Sequence, residues 1–374
     1  MSSPDPDDDA RALAFIADER RRRSRNLTIA AVATVAIAGV IAAVVIFGGR
    51  RDGDAAAVDG GEAGSGSGSG AREPIAIELA RAQLEQDPCG KRPAADLANA
   101  YNSEDRFAEA VAWVDDFNQR CGEYRYLLWK KFYALQQLAQ WQASVDVATH
   151  LIEGVPDDSD YWWWRGESLV ELKRLVEASA DFRQSIASSD LAASNGVHVM
   201  HLARIAKDLG RPCEGAFALG VYREHHGELS SGGDRLHAEL SVVGDCEQLV
   251  GHGAARIRAK AGQPVYKSTA RVGAATGTFL VDPRTPYVTV TRAFADRAGL
   301  TTAPPRITTR AGFELRRAEL AIASRIELTR ASAPNVDVAV VDALPPGVDG
   351  VIGQSFLWRF QVEDDGSELV LRER

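Results

Sequence analysis

The sequence predicts a multidomain protein with one N-terminal transmembrane helix, an all-α helical repeat solenoid and an all-β domain. Three observations support this fold class. Residues 27–47 form an uncharged apolar run, a short pattern recurs every 34 residues, and alternating β-branched stretches begin near residue 265. The 374 residues are enough for two or three folding units.

Charge is distributed unevenly along the chain. Residues 52–264 carry 33 acidic and 21 basic side chains, whereas residues 265–374 carry 13 acidic and 14 basic ones. A protein that binds nucleic acid needs a basic surface to neutralise phosphates. The acidic central part, which has no basic stripe, argues against nucleic acid as a partner.

The apolar run at residues 27–47 reads LTIAAVATVAIAGVIAAVVIF. As a helix it would span about 30 Å, the thickness of the hydrocarbon core of a bilayer. A cleaved signal peptide is one alternative, although its apolar region is usually only ~7–15 residues long. A buried core helix is the other alternative. We expect an uncleaved anchor in the inner (cell) membrane.

Orientation follows from the basic flanks of this run. Six arginines lie in residues 1–26, and only Arg50 and Arg51 follow the run closely. Because the more basic flank stays inside, residues 1–26 are expected to be a cytoplasmic tail and the bulk of the chain extracytoplasmic or periplasmic. Residues 48–72 contain GGEAGSGSGSGA, which predicts a flexible linker.

A 34-residue repeat follows the linker. The segments that begin at Arg106, Gln140 and Arg174 align at offsets of 34, and a fourth copy begins at Arg211. Each segment closes on a small residue, and twelve residues earlier a second small residue recurs in three of the four copies. These two sets are Ala110, Ser144, Ala178 and Gly215, and Ala98, Phe132, Gly166 and Ala203.

The period and the small residues resemble the tetratricopeptide repeat (TPR), over a domain that we place at residues 73–250. The resemblance implies a solenoid whose concave groove binds a protein or peptide partner. Phe132 departs from the pattern, and an irregular helical bundle is the alternative. The aromatic run Tyr161–Trp164 is expected to pack between repeats, with one outward-facing tryptophan as a candidate binding anchor.

Four cysteines bracket the repeats: Cys89, Cys121, Cys213 and Cys246. They allow three pairings, of which we favour the two local ones, Cys89–Cys121 and Cys213–Cys246. Disulfides persist outside the cytoplasm, so these pairs agree with the predicted topology. The alternative is four buried free thiols. No C-x-x-C motif occurs and the histidines lack partners at ligand spacing, so no metal and no cofactor are expected.

From residue 265 to residue 374 the sequence predicts an antiparallel β domain. Alternating stretches are separated by turn residues, and one short helix is expected at Arg292–Ala298. A second, shorter helix is expected near Ser355–Arg359. The predicted strands are Val265–Val272, Thr278–Val281, Tyr287–Val290, Glu319–Leu328 and Val336–Val341.

Two segments of this domain resemble the retropepsin-like aspartic proteases in their bacterial single-domain form. The apolar strand Gly277–Val281 ends in Asp282, followed by Pro283, Arg284 and Thr285. The second segment resembles the family's D-G-x-x-G signature and comprises Asp349, Gly350, Val351, Ile352 and Gly353. Between them, Arg310, Ala311 and Gly312 would form the tip of the family's flap hairpin.

The resemblance implies general acid–base chemistry on an aspartate pair. Two carboxylates share one proton and activate a water, and a single-domain chain supplies only one of them. The resemblance therefore assigns Asp282 as the catalytic residue of a homodimer, with Asp349 in a structural role.

The motif departs from the family pattern, because D-P-R-T stands where the family has D-T-G-A. Pro283 lacks the hydroxyl that orients the carboxylates and lacks a backbone donor. Arg284 lacks the conformational freedom of the family's glycine, and its charge favours an ionised Asp282. Thr285 carries a hydroxyl, but it stands later in the motif than the family's threonine.

The sequence therefore predicts a membrane-anchored TPR protein whose retropepsin-like domain hydrolyses bound proteins as a homodimer through Asp282. The alternative is a non-catalytic envelope scaffold or adaptor in which the TPR solenoid binds partner proteins. Asp282 favours the first prediction, and Pro283 and Arg284 favour the second.

Overall fold

The computed structural model describes residues 73–189, 196–259, 266–311 and 314–374. The predicted tail, membrane anchor and linker (residues 1–72) lie outside these residues, as does Gly312 at the predicted flap tip. Among the helices that are described, none has both the length and the apolarity to cross a bilayer.

Consecutive α-helices fill the described chain before residue 250 and confirm the helical repeat region. The second helix of each repeat begins at Phe107, Trp141, Leu175 or Pro212, which reproduces the predicted period. The helices are α1 (Ile75–Gln86), α2 (Lys91–Ser103), α3 (Phe107–Cys121), α4 (Arg125–Gln137), α5 (Trp141–Gly154), α6 (Ser159–Glu171), α7 (Leu175–Ser188), α8 (Gly196–Asp208), α9 (Pro212–His226) and α10 (Ser231–Val243).

The turn inside each repeat has the same backbone conformation. Asp105, Ala139, Lys173 and Gly210 have φ values of 56°, 54°, 60° and 71°, and each lies two residues before the start of a helix. Left-handed backbone is uncommon for residues other than glycine. Its recurrence at one position shows that the repeat is one of geometry as well as of composition.

The repeated small residues are buried where paired helices approach each other. Ala98, Ala110, Ala178 and Ala203 are fully buried. At Gly166 a Cβ atom would lie 2.9 Å from the ring of Phe182, so the α6–α7 pair requires glycine there.

Phe132, the exception to the small-residue pattern, is also buried and stacks on Trp164 at 5.4 Å between ring centroids. Tyr161 and Trp162 are buried as well, so this part of the aromatic run packs between repeats as predicted.

Two disulfides close the ends of the helical region. Cys89 is bonded to Cys121 and Cys213 to Cys246, which confirms the local pairing. The first joins the α1–α2 turn to the end of α3. The second joins α9 to a 3-10 helix at Cys246–Leu249. Each closes a loop of more than 30 residues. The stability that a disulfide adds increases with the length of the loop it closes.

The C-terminal region is a β domain with two short helices, as predicted. Its strands also include Ala255–Arg258, which lies before the predicted start at residue 265. The elements are β1 (Ala255–Arg258), β2 (Tyr266–Val272), β3 (Ala275–Val281), β4 (Val288–Thr291), α11 (Arg292–Ala298), β5 (Thr302–Ala311), β6 (Glu314–Leu328), β7 (Ala331–Val341), β8 (Gly350–Ile352), α12 (Gln354–Leu357), β9 (Phe360–Asp364) and β10 (Glu368–Glu373).

These strands form a seven-stranded sheet in the order β2-β3-β8-β4-β7-β6-β5 and a three-stranded sheet in the order β1-β10-β9. Strand β2 also pairs with β6, so the larger sheet curls until it closes on itself. The prediction of an antiparallel sheet is wrong for two strand pairs, because β3–β8 and β4–β7 are parallel. Alternation of side chains fixes which face is buried but not the direction of the neighbouring strand.

The helical region and the β domain meet across a buried cluster of charges within one compact unit, residues 75–374. Arg183 of α7 lies 2.6 Å from Glu214 of α9. Arg211 lies 3.2 Å from both Glu214 and Asp337, and Asp337 belongs to β7. We call Arg183, Arg211, Glu214 and Asp337 the junction cluster.

The two carboxyl groups of the junction cluster have opposite pKa shifts. Burial alone would raise the pKa of Glu214, but Arg183, a hydrogen bond with Asp337 and Arg211 outweigh it and lower the pKa to about 2. Burial raises the pKa of Asp337 well above its usual value, and the charge of Glu214 raises it further. We therefore expect Asp337 to be the protonated member of this pair and to donate to the Glu214 carboxylate.

This assignment predicts different effects for two conservative substitutions. Glu214→Gln leaves Arg183 and Arg211 without their buried counter-charge and should lower the free energy of unfolding by about 3–5 kcal/mol. At about pH 4, Asp337→Asn keeps a donor toward Glu214 and an acceptor toward Arg211, so the change there should be within about 1 kcal/mol. Urea denaturation of both variants measures the difference.

The pH dependence provides the control. A raised pKa stabilises the folded state at low pH, and the wild type loses this contribution as pH rises through the raised pKa. Because an asparagine side chain does not ionise, Asp337→Asn should gain stability relative to wild type as the pH rises above about 4, where Asp337 ionises in the unfolded chain but stays protonated in the folded one. Equal losses in both variants would contradict a protonated Asp337.

Candidate active site

Asp282 follows directly after β3 at the predicted position. Its backbone N–H donates to the carbonyl oxygen of Ile352, the last residue of β8, at 3.0 Å. This bond continues the parallel β3–β8 ladder by one residue. The two motifs identified in the sequence therefore meet where these strands end, and Asp282 lies at that meeting point.

Two donors of its own turn hold the Asp282 carboxylate. The backbone N–H of Arg284 donates to Oδ1 at 3.0 Å, and the Thr285 hydroxyl donates to Oδ2 at 3.2 Å. The side chain of Asp282 is 16% exposed, so one part of the carboxylate remains open to solvent. Both oxygens are thus oriented before any ligand arrives, as a positioned acid or base requires.

The residues that depart from the family motif fit this turn without strain. Arg284 keeps a negative φ, so the position does not need the conformational freedom of glycine. Its side chain is 57% exposed, and Nε lies 3.5 Å from Asp282 Oδ1. Thr285 is fully buried, and its hydroxyl supplies within the chain a polar contact to the carboxylate that Pro283 cannot make.

The second motif supports the turn and contributes no second carboxylate to it. Asp349 accepts hydrogen bonds from the backbone N–H of Thr278 at 2.9 Å and from Arg297 at 3.0 Å. Thr278 precedes Asp282 by four residues along β3, a distance of about 13 Å. Asp349 therefore fixes the middle of β3, and it does not supply the second carboxylate of a pair around Asp282.

Strand β8 is buried in the centre of the sheet, and its flanking glycines permit close approach. Val351 and Ile352 are buried and pair with Leu280 and Val281 of β3. At Gly353 a Cβ atom would lie 2.4 Å from the carbonyl oxygen of Thr285. At Gly350 it would lie 2.2 Å from the ring of Phe279. Both glycines therefore set how closely β8 packs on the Asp282 turn.

The predicted flap is a long hairpin made by β5 and β6, paired up to Ala311 and Glu314. Its end contacts the helical region. The Arg310 backbone N–H donates to the side-chain oxygen of Gln184 on α7 at 2.8 Å, and the Arg310 guanidinium pairs with Asp157 before α6. Arg310 and Ala311 are both buried.

Neither this attachment of the hairpin nor the junction cluster is predicted from the sequence. Gln184, Asp157 and Arg183 are single polar residues in amphipathic helices or the turns beside them, and nothing in their spacing marks them as contacts with the other domain. Among these residues, only Glu214 belongs to a sequence pattern that could have marked it as part of an ion pair. Glu109 and Glu177 hold the same place in earlier repeats, where they pair with Arg106 and Arg174.

The described residues contain no group of three or more histidine, cysteine, aspartate or glutamate side chains that could hold a metal ion. The chemistry available at the turn is that of a single oriented carboxylate with an arginine beside it.

Comparison with known proteins gives a family match for the C-terminal region. Residues 268–356 match the aspartyl protease family. A retropepsin-like aspartic protease from Rickettsia conorii has a similar structure, with 18% sequence identity and a TM-score of 0.26; the match covers 33% of this chain and 92% of that protein. No curated protein matches the chain.

The helical region is similar to solved TPR proteins. YrrB, described as a TPR protein with an unusual peptide-binding site, has 12% identity and a TM-score of 0.39; the match covers 46% of this chain and 86% of that one. MamA from Desulfovibrio magneticus RS-1 has 12% identity and a TM-score of 0.37, over 41% and 86% of the two chains. The chain thus combines a TPR-like helical region with an aspartyl-protease-like domain.

The close approach at Gly353 yields a testable prediction. Gly353→Ala would place a methyl group against two backbone carbonyl oxygens and should lower the free energy of unfolding by about 1–3 kcal/mol. Gly232→Ala is the matched control, because its Cβ would meet nothing nearer than 3.8 Å. That substitution lies in α10 and should stabilise the protein by up to about 1 kcal/mol. Thermal denaturation of both variants distinguishes them, and equal stabilities would contradict the tight packing of β8 on the turn.

Proposed function

We propose that this chain is a membrane-anchored peptidase whose TPR-like solenoid binds polypeptides and whose retropepsin-like domain hydrolyses them as a homodimer. The observation that carries the proposal is the Asp282 turn. One carboxylate is held by the Arg284 N–H and the Thr285 hydroxyl and is partly open to solvent. A second copy of the chain would bring an equivalent carboxylate to share its proton and activate a water.

Cleavage of denatured casein by the full-length chain, purified in a mild detergent, tests this proposal. We expect cleavage with an acidic to neutral optimum, inhibition by a pepstatin-type compound, and a loss of at least about a hundredfold in Asp282→Asn. Asp342→Asn is the matched control, because Asp342 is exposed in the same domain. An absence of cleavage by a folded, dimeric sample would contradict the proposal.

A non-catalytic adaptor is the second candidate function, and the position of the hairpin favours it. Arg310 attaches the end of β5 to Asp157 and Gln184 of the helical region. A hairpin held in this way would have to release both contacts before it could close over a substrate. In this case the solenoid would bind partner proteins and the β domain would only bind or dimerise.

The proposed topology has a separate test. A reporter fused after Arg51 should be active only outside the cytoplasm, because the six arginines before residue 27 hold the N-terminus inside. The control is a second reporter that is active on both sides of the membrane. It is fused after Arg51 in one fusion protein and before residue 27 in another. Cytoplasmic activity after Arg51 would contradict the single-pass anchor at residues 27–47.

A further inference from the structure

We propose that a cleft between the helical region and the Asp282 turn binds a large apolar side chain of an extended polypeptide. The cleft has a volume of about 480 Å³, which lies in the range of natural ligand sites. This inference rests on the proposed function, since it names the class of substrate that would reach Asp282. Binding itself does not require cleavage, so the two can fail separately.

The walls of the cleft come from both domains. The ends of α7 and α9 contribute one wall, which includes Ser188 and Val221. The β domain contributes the other, with Leu357 from α12 and with Phe360 and Val362 from β9. Phe360 and Val362 are two residues apart, so they lie on the same face of their strand. A retropepsin-like domain by itself would lack the helical wall.

The charged groups at the rim of the cleft already have partners. Arg374 pairs with Glu224 and donates to the carbonyl oxygen of Trp358 at 3.0 Å. Asp364 accepts a hydrogen bond from the Tyr266 hydroxyl at 2.5 Å. A charged group on a ligand would therefore add little to the binding free energy. Most of that free energy would come from apolar surface buried against the walls of the cleft.

Gln354 provides a polar group for the backbone of the ligand. This residue lines the cleft and is 2% exposed, yet its side-chain oxygen has no hydrogen-bond partner among the described residues. A buried polar atom without a partner carries a cost that a donor from a ligand would remove. The amide N–H of a polypeptide is such a donor.

The free side of β9 explains why the ligand should be extended. Within the described sheet β1-β10-β9, β9 lies at the edge and pairs only with β10. An edge strand presents backbone N–H and C=O groups that can pair with an added strand. A polypeptide added along β9 would direct alternate side chains toward the cleft.

The cleft also lies next to the candidate catalytic residue. Pro283 and Arg284, which follow Asp282 directly, are among its lining residues. An apolar side chain bound there would belong to a residue close to the peptide bond that a water activated by Asp282 would attack. The cleft would therefore select substrates by an apolar residue near the cleavage point.

Affinity selection from random, terminally blocked octapeptides tests the inference. The full-length Asp282→Asn protein is used so that bound peptides are not cut. We expect phenylalanine, leucine and tryptophan at one position to be enriched about ten- to a hundredfold over glycine. Val362→Arg and Ser188→Trp, added separately, should reduce that enrichment below about twofold. Val242→Arg is the matched control, because Val242 is 83% exposed on α10.

The outcomes separate the two proposals. Apolar enrichment that both cleft variants abolish, in a protein that cuts no casein, would support the cleft and reject the peptidase. Enrichment that survives in a folded Val362→Arg or Ser188→Trp protein would overturn the cleft, whatever the peptidase assay shows. Absence of apolar enrichment would overturn it too. A dimer that Val362→Arg dissociates, with peptide selection unchanged, would assign β9 to a second copy instead.

Discussion

The structure depends on a few charges that are buried where its two domains meet. Arg183 and Arg211 surround Glu214, and the raised pKa of Asp337 favours its neutral form, which would let a second carboxyl group join them without a second negative charge. Buried ion pairs add little net stability over apolar packing, but a buried charge that loses its partner costs several kcal/mol. The cluster therefore favours the orientation of the domains in which each charge has its partner. The Asp282 turn, the hairpin and the cleft all take their surroundings from that orientation.

The Asp282 turn orients its carboxylate although its motif departs from the pattern of the aspartyl proteases. The Arg284 N–H and the Thr285 hydroxyl hold the two carboxylate oxygens although neither residue is the one the motif would lead a reader to expect. A negative φ at Arg284 removes the need for glycine there. The tight constraint lies instead at Gly353 on the neighbouring strand, where no side chain fits.

Local features of the sequence predicted much of this fold. The 34-residue spacing, the disulfide pairs and the helix at Arg292–Ala298 follow from residues close together in the chain. The parallel β3–β8 pair, the hairpin contact of Arg310 with Gln184 and the cleft depend on residues far apart in sequence. Such contacts leave no periodic signal, because a single polar residue on a helix looks the same whether it faces water or another domain.

The place of the domain contacts along the solenoid has a consequence for how such a protein can change. The described polar contacts between the two domains include those of Asp157, Arg183, Gln184, Arg211, Glu214 and Glu224, which lie in the later repeats. Each repeat packs mainly on its neighbours. Repeats could thus be inserted or lost near the first disulfide without disturbing Asp282. The helical region could then vary in length while the β domain keeps its architecture.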